Sequence, residues 1–89
     1  MEFIMDRDFT DSLQLPKDVI YRDSLISLTG ERELYLENHK NLLSYTTEEI
    51  KVRLYHGSLC ITGKKLTISY YTNEELKITG KISSIAFGN

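Results

Sequence analysis

Tryptophan is absent from this 89-residue chain, proline and cysteine occur once each, and histidine occurs twice. Each scarcity excludes something. The lone Cys60 cannot form an internal disulfide, so a reducing, cytoplasmic setting is the default expectation. His39, His56 and Cys60 are the only soft metal-ligand types, too few for a closed zinc site with its four ligands. His56 and Cys60 are four apart, which in a strand separates them by roughly 13 Å unless a sharp turn at Gly57 intervenes. Cations are not in excess: 11 Lys and Arg face 13 Asp and Glu, a net charge of −2, which disfavours a nucleic-acid module. No apolar run approaches the ~18 residues that a membrane span needs. The apolar Met1 to Met5 stretch meets Asp6, Arg7 and Asp8 at once, which is unlike a signal peptide. Neither GxGxxG nor GxxxxGK[ST] occurs, so no phosphate cradle is expected.

What is present is alternation. Ile50, Val52 and Leu54 are separated by Lys51 and Arg53, and Leu34 and Leu36 flank Tyr35. The pattern continues at Leu59 and Ile61, Leu66 and Ile68, Leu76 and Ile78, then Ile85 and Phe87. A period of two places every second side chain on one face of a strand. Breakers separate the runs at Gly30, residues 38–41, Gly57, residues 63–65 and Asn73. The expected fold is all-β: a small antiparallel β-sandwich of seven or eight short strands, with a single domain over 15–89. Residues 1–14 are expected to form an arm, frayed or with one helical turn, and residues 15–21 an extended lead into the sheet. Ile61-Thr62-Gly63-Lys64 is echoed by Ile78-Thr79-Gly80-Lys81 and more weakly by Leu28-Thr29-Gly30. Gly30, Gly57, Gly63 and Gly80 are accordingly expected in hairpin turns.

Catalytic chemistry finds little purchase. Cys60 lies between Leu59 and Ile61 with no charged sequence neighbour to lower its pKa. The adjacent carboxylates Glu48-Glu49 and Glu74-Glu75 sit beside turn residues and are expected to be solvated. Neither enzyme activity nor a cofactor is expected. Tyr35, Tyr55 and Tyr71 fall on the polar phase of their strands, and tyrosine is favoured at protein interfaces. The candidate partner contact is Tyr35, Glu37, Asn38 and His39. The C-terminal run through Ile82, Ile85 and Phe87 is a second candidate, as a sheet edge able to accept another strand and so to form a homo-oligomer. A small-ligand or glycan-binding domain is the alternative reading, weakened by the missing tryptophan.

One order of segments carries a resemblance. Leu15-Pro16-Lys17-Asp18-Val19, Leu28-Thr29-Gly30, Leu34-Tyr35-Leu36-Glu37-Asn38-His39-Lys40, Gly57-Ser58-Leu59-Cys60-Ile61-Thr62-Gly63 and Glu75-Leu76-Lys77-Ile78-Thr79-Gly80-Lys81-Ile82 together resemble the YabP/YqfC family of sporulation proteins, nearest its YqfC branch. The resemblance covers about residues 15–87. It implies a β-sandwich protein of endospore-forming Firmicutes, without enzyme activity, needed for normal spore formation. It further implies a protein partner, the membrane protein YqfD, and a place in the mother-cell cytoplasm, peripheral to a membrane through that partner. The short acidic N-terminal arm departs from the longer basic helix common among relatives, which argues against a membrane-surface role for the arm.

Overall fold

The computed structural model describes residues 22–89, and among them every regular element is a β-strand. The arm expected over 1–14 and the extended lead over 15–21 lie outside the described residues. The strands are β1 (Leu25–Thr29), β2 (Glu33–Glu37), β3 (His39–Tyr45), β4 (Glu49–Leu54), β5 (Gly57–Tyr71) and β6 (Glu75–Gly88). All pairings are antiparallel, in the order β1-β2-β6-β5-β4-β3.

Six strands carry the seven or eight alternating runs because β5 and β6 are long, at 15 and 14 residues, and each serves two layers. Residues 75–79 of β6 pair with β2 on one side and with the second half of β5 on the other. Residues 57–62 of β5 pair with β4 on one side and with the second half of β6 on the other. The hydrogen-bonded sheet is therefore continuous but folded across the middle of this long hairpin. The side chains of both halves meet in one cluster. Leu34, Leu36, Leu66, Leu76 and Ile78 from the first layer join Ile50, Val52, Leu54, Leu59, Ile61 and Ile82, all buried. A flat sheet of this pattern would leave its apolar face in water.

Bulges at the fold keep the apolar phase pointing inward. Between the Lys64↔Lys81 and Thr67↔Thr79 pairs, β5 carries one extra residue, and Lys65 there has a φ of +54°. The buried positions consequently move from odd (Leu59, Ile61) to even (Leu66) along one strand. On β6 the extra residue is Ser83, between Thr62↔Ser84 and Gly63↔Ile82. Gly63 and Gly80 thus do not end hairpins, as expected from the sequence, but sit inside the long strands at the fold. Only Gly30 occupies a turn, and Gly57 opens β5 directly after the Tyr55-His56 turn. A Cβ on Gly63 would overlap the carbonyl oxygen of Lys81, and one on Gly80 would lie 2.5 Å from that of Lys65. The backbones pass too close there for any side chain. The expected break at 38–41 likewise shrinks to Asn38 alone, whose φ of +68° separates β2 from β3.

The turns at this end hold the corner. The β3–β4 turn accepts from β5, Gly63 N to Glu48 O at 3.0 Å and Leu66 N to Thr47 O at 2.8 Å. The β1–β2 turn does the same for β6, Gly80 N to Arg32 O at 3.1 Å and Ile82 N to Glu31 O at 2.7 Å. Backbone groups that leave the ladder at the bend are thereby satisfied.

Candidate functional site

Folding one sheet into two layers creates two open sides, and the chain treats them differently. On one side β3 faces the second half of β5, and two tyrosines close the gap. Leu42 N donates to the Tyr71 hydroxyl at 3.1 Å, and Ile68 N donates to the Tyr45 hydroxyl at 3.3 Å. Each tyrosine comes from the strand that the other one bonds. Each also precedes a turn built alike: Thr46 Oγ1 accepts from Glu49 N and Thr72 Oγ1 from Glu75 N, both at 2.9 Å. The carboxylate pairs Glu48-Glu49 and Glu74-Glu75 belong to these Thr-anchored turns and are not acid and base partners in a cleft.

The reciprocity has a sequence cause. Residues 42–54, LLSYTTEEIKVRL, align with residues 68–80, ISYYTNEELKITG, with Tyr, Thr, Glu, Glu and Lys in common positions. The two halves of the clasp are an internal repeat, visible in the sequence at a period set by Tyr45 and Tyr71 but obscured by the closer glycine echoes.

Tyr35, Glu37, Asn38 and His39 do not form one exposed patch. The half-buried Tyr35 hydroxyl donates to Glu37 Oε2 at 3.0 Å, and its ring meets Tyr70 edge-on with centroids 6.5 Å apart. Burial, then hydrogen bonds to Glu75 and Glu37, raise the Tyr35 pKa well above the ordinary phenolic value. Asn38 is a turn residue whose Nδ2 donates to Asp23 O at 2.9 Å. His39 is 1% exposed and stacks on Tyr71, with centroids 5.1 Å apart. Tyr71 itself is not on the polar phase: the bulge at Ser69, between Ile68↔Ile78 and Tyr70↔Lys77, turns it to the side of its partner Leu76. Tyr55 lies in the β4–β5 turn with the Arg22 guanidinium 4.8 Å from its ring centre.

His39 is a structural histidine with a pH signature. Its Nε2 lies 3.3 Å from Glu75 O, and because a carbonyl only accepts, Nε2 carries the proton. Nδ1 is buried with no partner among the described residues. Burial lowers the pKa from its ordinary value of 6.5. The neutral ring is favoured in the fold, so the unfolded chain binds more protons as pH falls through that value, and stability declines with it. Urea midpoints should therefore drop between pH 8 and pH 5 in the wild type and drop less in His39→Phe, which keeps the stack on Tyr71. Equal drops would show that His39 is not the group responsible.

Cys60 is half-buried on the outer face of the second layer, and its thiol reaches Glu49 Oε2 at 3.5 Å. Burial, then Glu49, push its pKa up, against a smaller opposing effect of Lys51. A thiol held protonated is a poor nucleophile. These charged neighbours come from β4 across the ladder (Lys51↔Cys60), which is why the local sequence around Cys60 does not reveal them. His56 lies in the turn before β5, and no group of three or more His, Cys, Asp or Glu among the described residues is placed to hold a metal ion. No helix among them is long and apolar enough to cross a membrane.

The other open side, between β1 and the second half of β6, has no tyrosine clasp. Beyond Ile82, β6 has no strand on its outer edge among the described residues, since β2 pairs only with 75–79. Phe87 is 72% exposed and Leu28 of β1 is 53% exposed, the two most exposed large apolar side chains described. Phe87 and Ile26 of β1 line one hollow of about 210 Å³ with Arg22, Leu54 and His56, which places the two free edges beside each other. Of the C-terminal run expected as a free edge, Ile82 is buried at 7% exposure and bonded to Glu31 O by the β1–β2 turn, Ile85 packs against the core, and only Phe87 stands exposed.

Among the described residues the chain is a small folded β-sheet with one clasped side and one unclasped side, the latter exposing Phe87 at the outer edge of β6. Residues 21–89 match the YabP family, and the chain is similar to the uncharacterized protein YqfC of Bacillus subtilis (strain 168), 31% identical over 78 residues that cover 88% of this chain and 84% of that protein. The chain belongs to the YabP/YqfC family. That membership suggests a sporulation-related protein.

Proposed function

We propose that this chain is a non-enzymatic sporulation protein, required for normal spore formation, that acts as a protein-binding or assembly module in the mother-cell cytoplasm. The observation that carries the reading is the unclasped side, where Phe87 and Leu28 are exposed and the outer edge of β6 beyond Ile82 has no strand partner among the described residues. Large exposed apolar side chains next to an open edge are the usual means by which a small β domain recruits another chain. The pKa of Cys60, pushed up by burial and Glu49, supports the non-enzymatic part. A membrane protein of the YqfD kind is the proposed partner, which would hold the chain at a membrane surface without a span of its own.

Chromosomal Phe87→Lys and Leu28→Lys variants test this in the native host. Both residues are exposed, so folding should survive, as circular dichroism can verify. Heat-resistant spore counts should fall at least tenfold, and the tagged variants should lose the YqfD-like protein that the wild type retains after crosslinking. Stable, abundant variants that sporulate normally would overturn the reading.

A further inference from the structure

Among the described residues, no strand covers the outer edge of β6 from residue 83 to residue 88. Ser83, Ser84, Ile85, Ala86, Phe87 and Gly88 contain no charge and no proline, the devices by which natural edge strands ordinarily repel other edges. Outside β1, whose outer edge is likewise open, the other described edges are protected. The edge of β3 and the second half of β5 are covered by the Tyr45 and Tyr71 hydroxyls, and β6 at Gly80 and Ile82 is bonded by the β1–β2 turn. The unguarded stretch begins where that turn stops.

We propose that this edge pairs with the same edge of a second copy of the chain, antiparallel about a two-fold axis, joining two folded sheets into one. The inference rests on the assembly reading above and assigns the backbone edge of residues 83–88 to a second copy. Self-pairing is favoured by composition. An isologous contact sets each residue against the other copy's equivalent segment, so any charge there would meet its like. This segment sets only serine, isoleucine, alanine, phenylalanine and glycine against themselves. The outward side chains Ser84 and Ala86 pair within the sheet with Thr62 and Cys60, all small, so the second sheet meets no bulky obstruction on that face. On the inward face Phe87, 72% exposed in one copy, gains the other copy's strand as cover. The contact is short, below the area of a stable obligate dimer, so the dimer forms and dissociates with concentration.

Sedimentation of the full chain across a wide concentration range tests the proposal, with amide exchange on the same samples. The weight-average mass should rise from monomer toward dimer, and with it the protection of the alternate amides of residues 83–88 that point away from β5, while those already bonded to β5 stay unchanged. Ala86→Lys and Phe87→Lys, each of which places like charges across the two-fold, should both remain monomeric where the wild type is dimeric. A wild type that stays monomeric throughout overturns the proposal, including the case in which Phe87→Lys still loses its cellular partner, because the edge then belongs to that partner alone. A dimer that persists in both variants, or protection gained elsewhere, overturns it as well.

Discussion

Gly80→Ala is expected to cost about 3 kcal/mol or more, lowering the melting temperature by more than about 10 °C for a domain of this size. Two penalties combine at this position. The backbone φ of +136° is one that side-chain-bearing residues rarely adopt, and the new Cβ would lie 2.5 Å from Lys65 O and 2.9 Å from the Leu66 Cα. Both neighbours are backbone, so relief requires β5 and β6 to separate where the sheet folds. Gly63→Ala should be comparable, because its Cβ would overlap the carbonyl of Lys81 on the facing strand. Gly30→Ala provides the contrast. It also has positive φ, +54°, yet nothing lies within 4 Å of its Cβ, so only the conformational penalty of about 1 kcal/mol applies. Thermal melts of the three variants check the ranking. If Gly80→Ala and Gly30→Ala melted together, the close crossing of β5 and β6 would not exist.

These glycines also mark where the sequence was legible and where it was not. The alternation of Ile50, Val52 and Leu54 identifies β4 directly, because β4 is regular and half-buried, and the same holds for Leu34 and Leu36 in β2. The alternation of β5 is interrupted between Ile61 and Leu66, and an interruption with a glycine and two lysines looks like a turn. A bulge that re-phases one strand and a turn that ends it leave almost the same trace, since both need an irregular residue and both reset the parity. What distinguishes them is the partner across the ladder, and cross-strand contacts are not contained in a local window. The same limit hid the Glu49 and Lys51 neighbours of Cys60, and it put Tyr71 on the wrong face, because the bulge at Ser69 shifts the parity just before it. The sequence groups His39 with Tyr35, Glu37 and Asn38 as a candidate contact, yet it is buried. Its burial comes from Tyr71, 32 positions later in the chain, stacking over it. The alternation of Ile85 and Phe87 is legible as a strand, whereas the burial of Ile82 depends on the β1–β2 turn bonding it from Glu31, 51 positions earlier, and has no local trace.

The second large effect expected is in the core. Leu76→Ala should destabilise the chain by about 2–5 kcal/mol, the range found for buried leucines that leave a cavity behind. Leu76 is fully buried and its ladder partners lie on both sides, Leu36 on β2 and Tyr71 on β5, so shortening it opens space that a hydrogen-bonded backbone on either flank cannot close. For a chain of 89 residues, whose whole stability is of order 4–13 kcal/mol, that is a large fraction. Urea unfolding at high dilution measures it as a fall in midpoint. Phe87→Ala is the informative companion. Phenylalanine is the larger residue, yet at 72% exposure its removal should change monomer stability by no more than about 0.5 kcal/mol. A loss from Phe87→Ala approaching that from Leu76→Ala would mean that the side chain is buried within the monomer in solution, and the surface assigned to partners would not be open. Two large apolar residues on one strand, eleven positions apart, are thus predicted to answer very unequally to the same truncation. One holds the layers together, and the other contributes little until a second chain arrives.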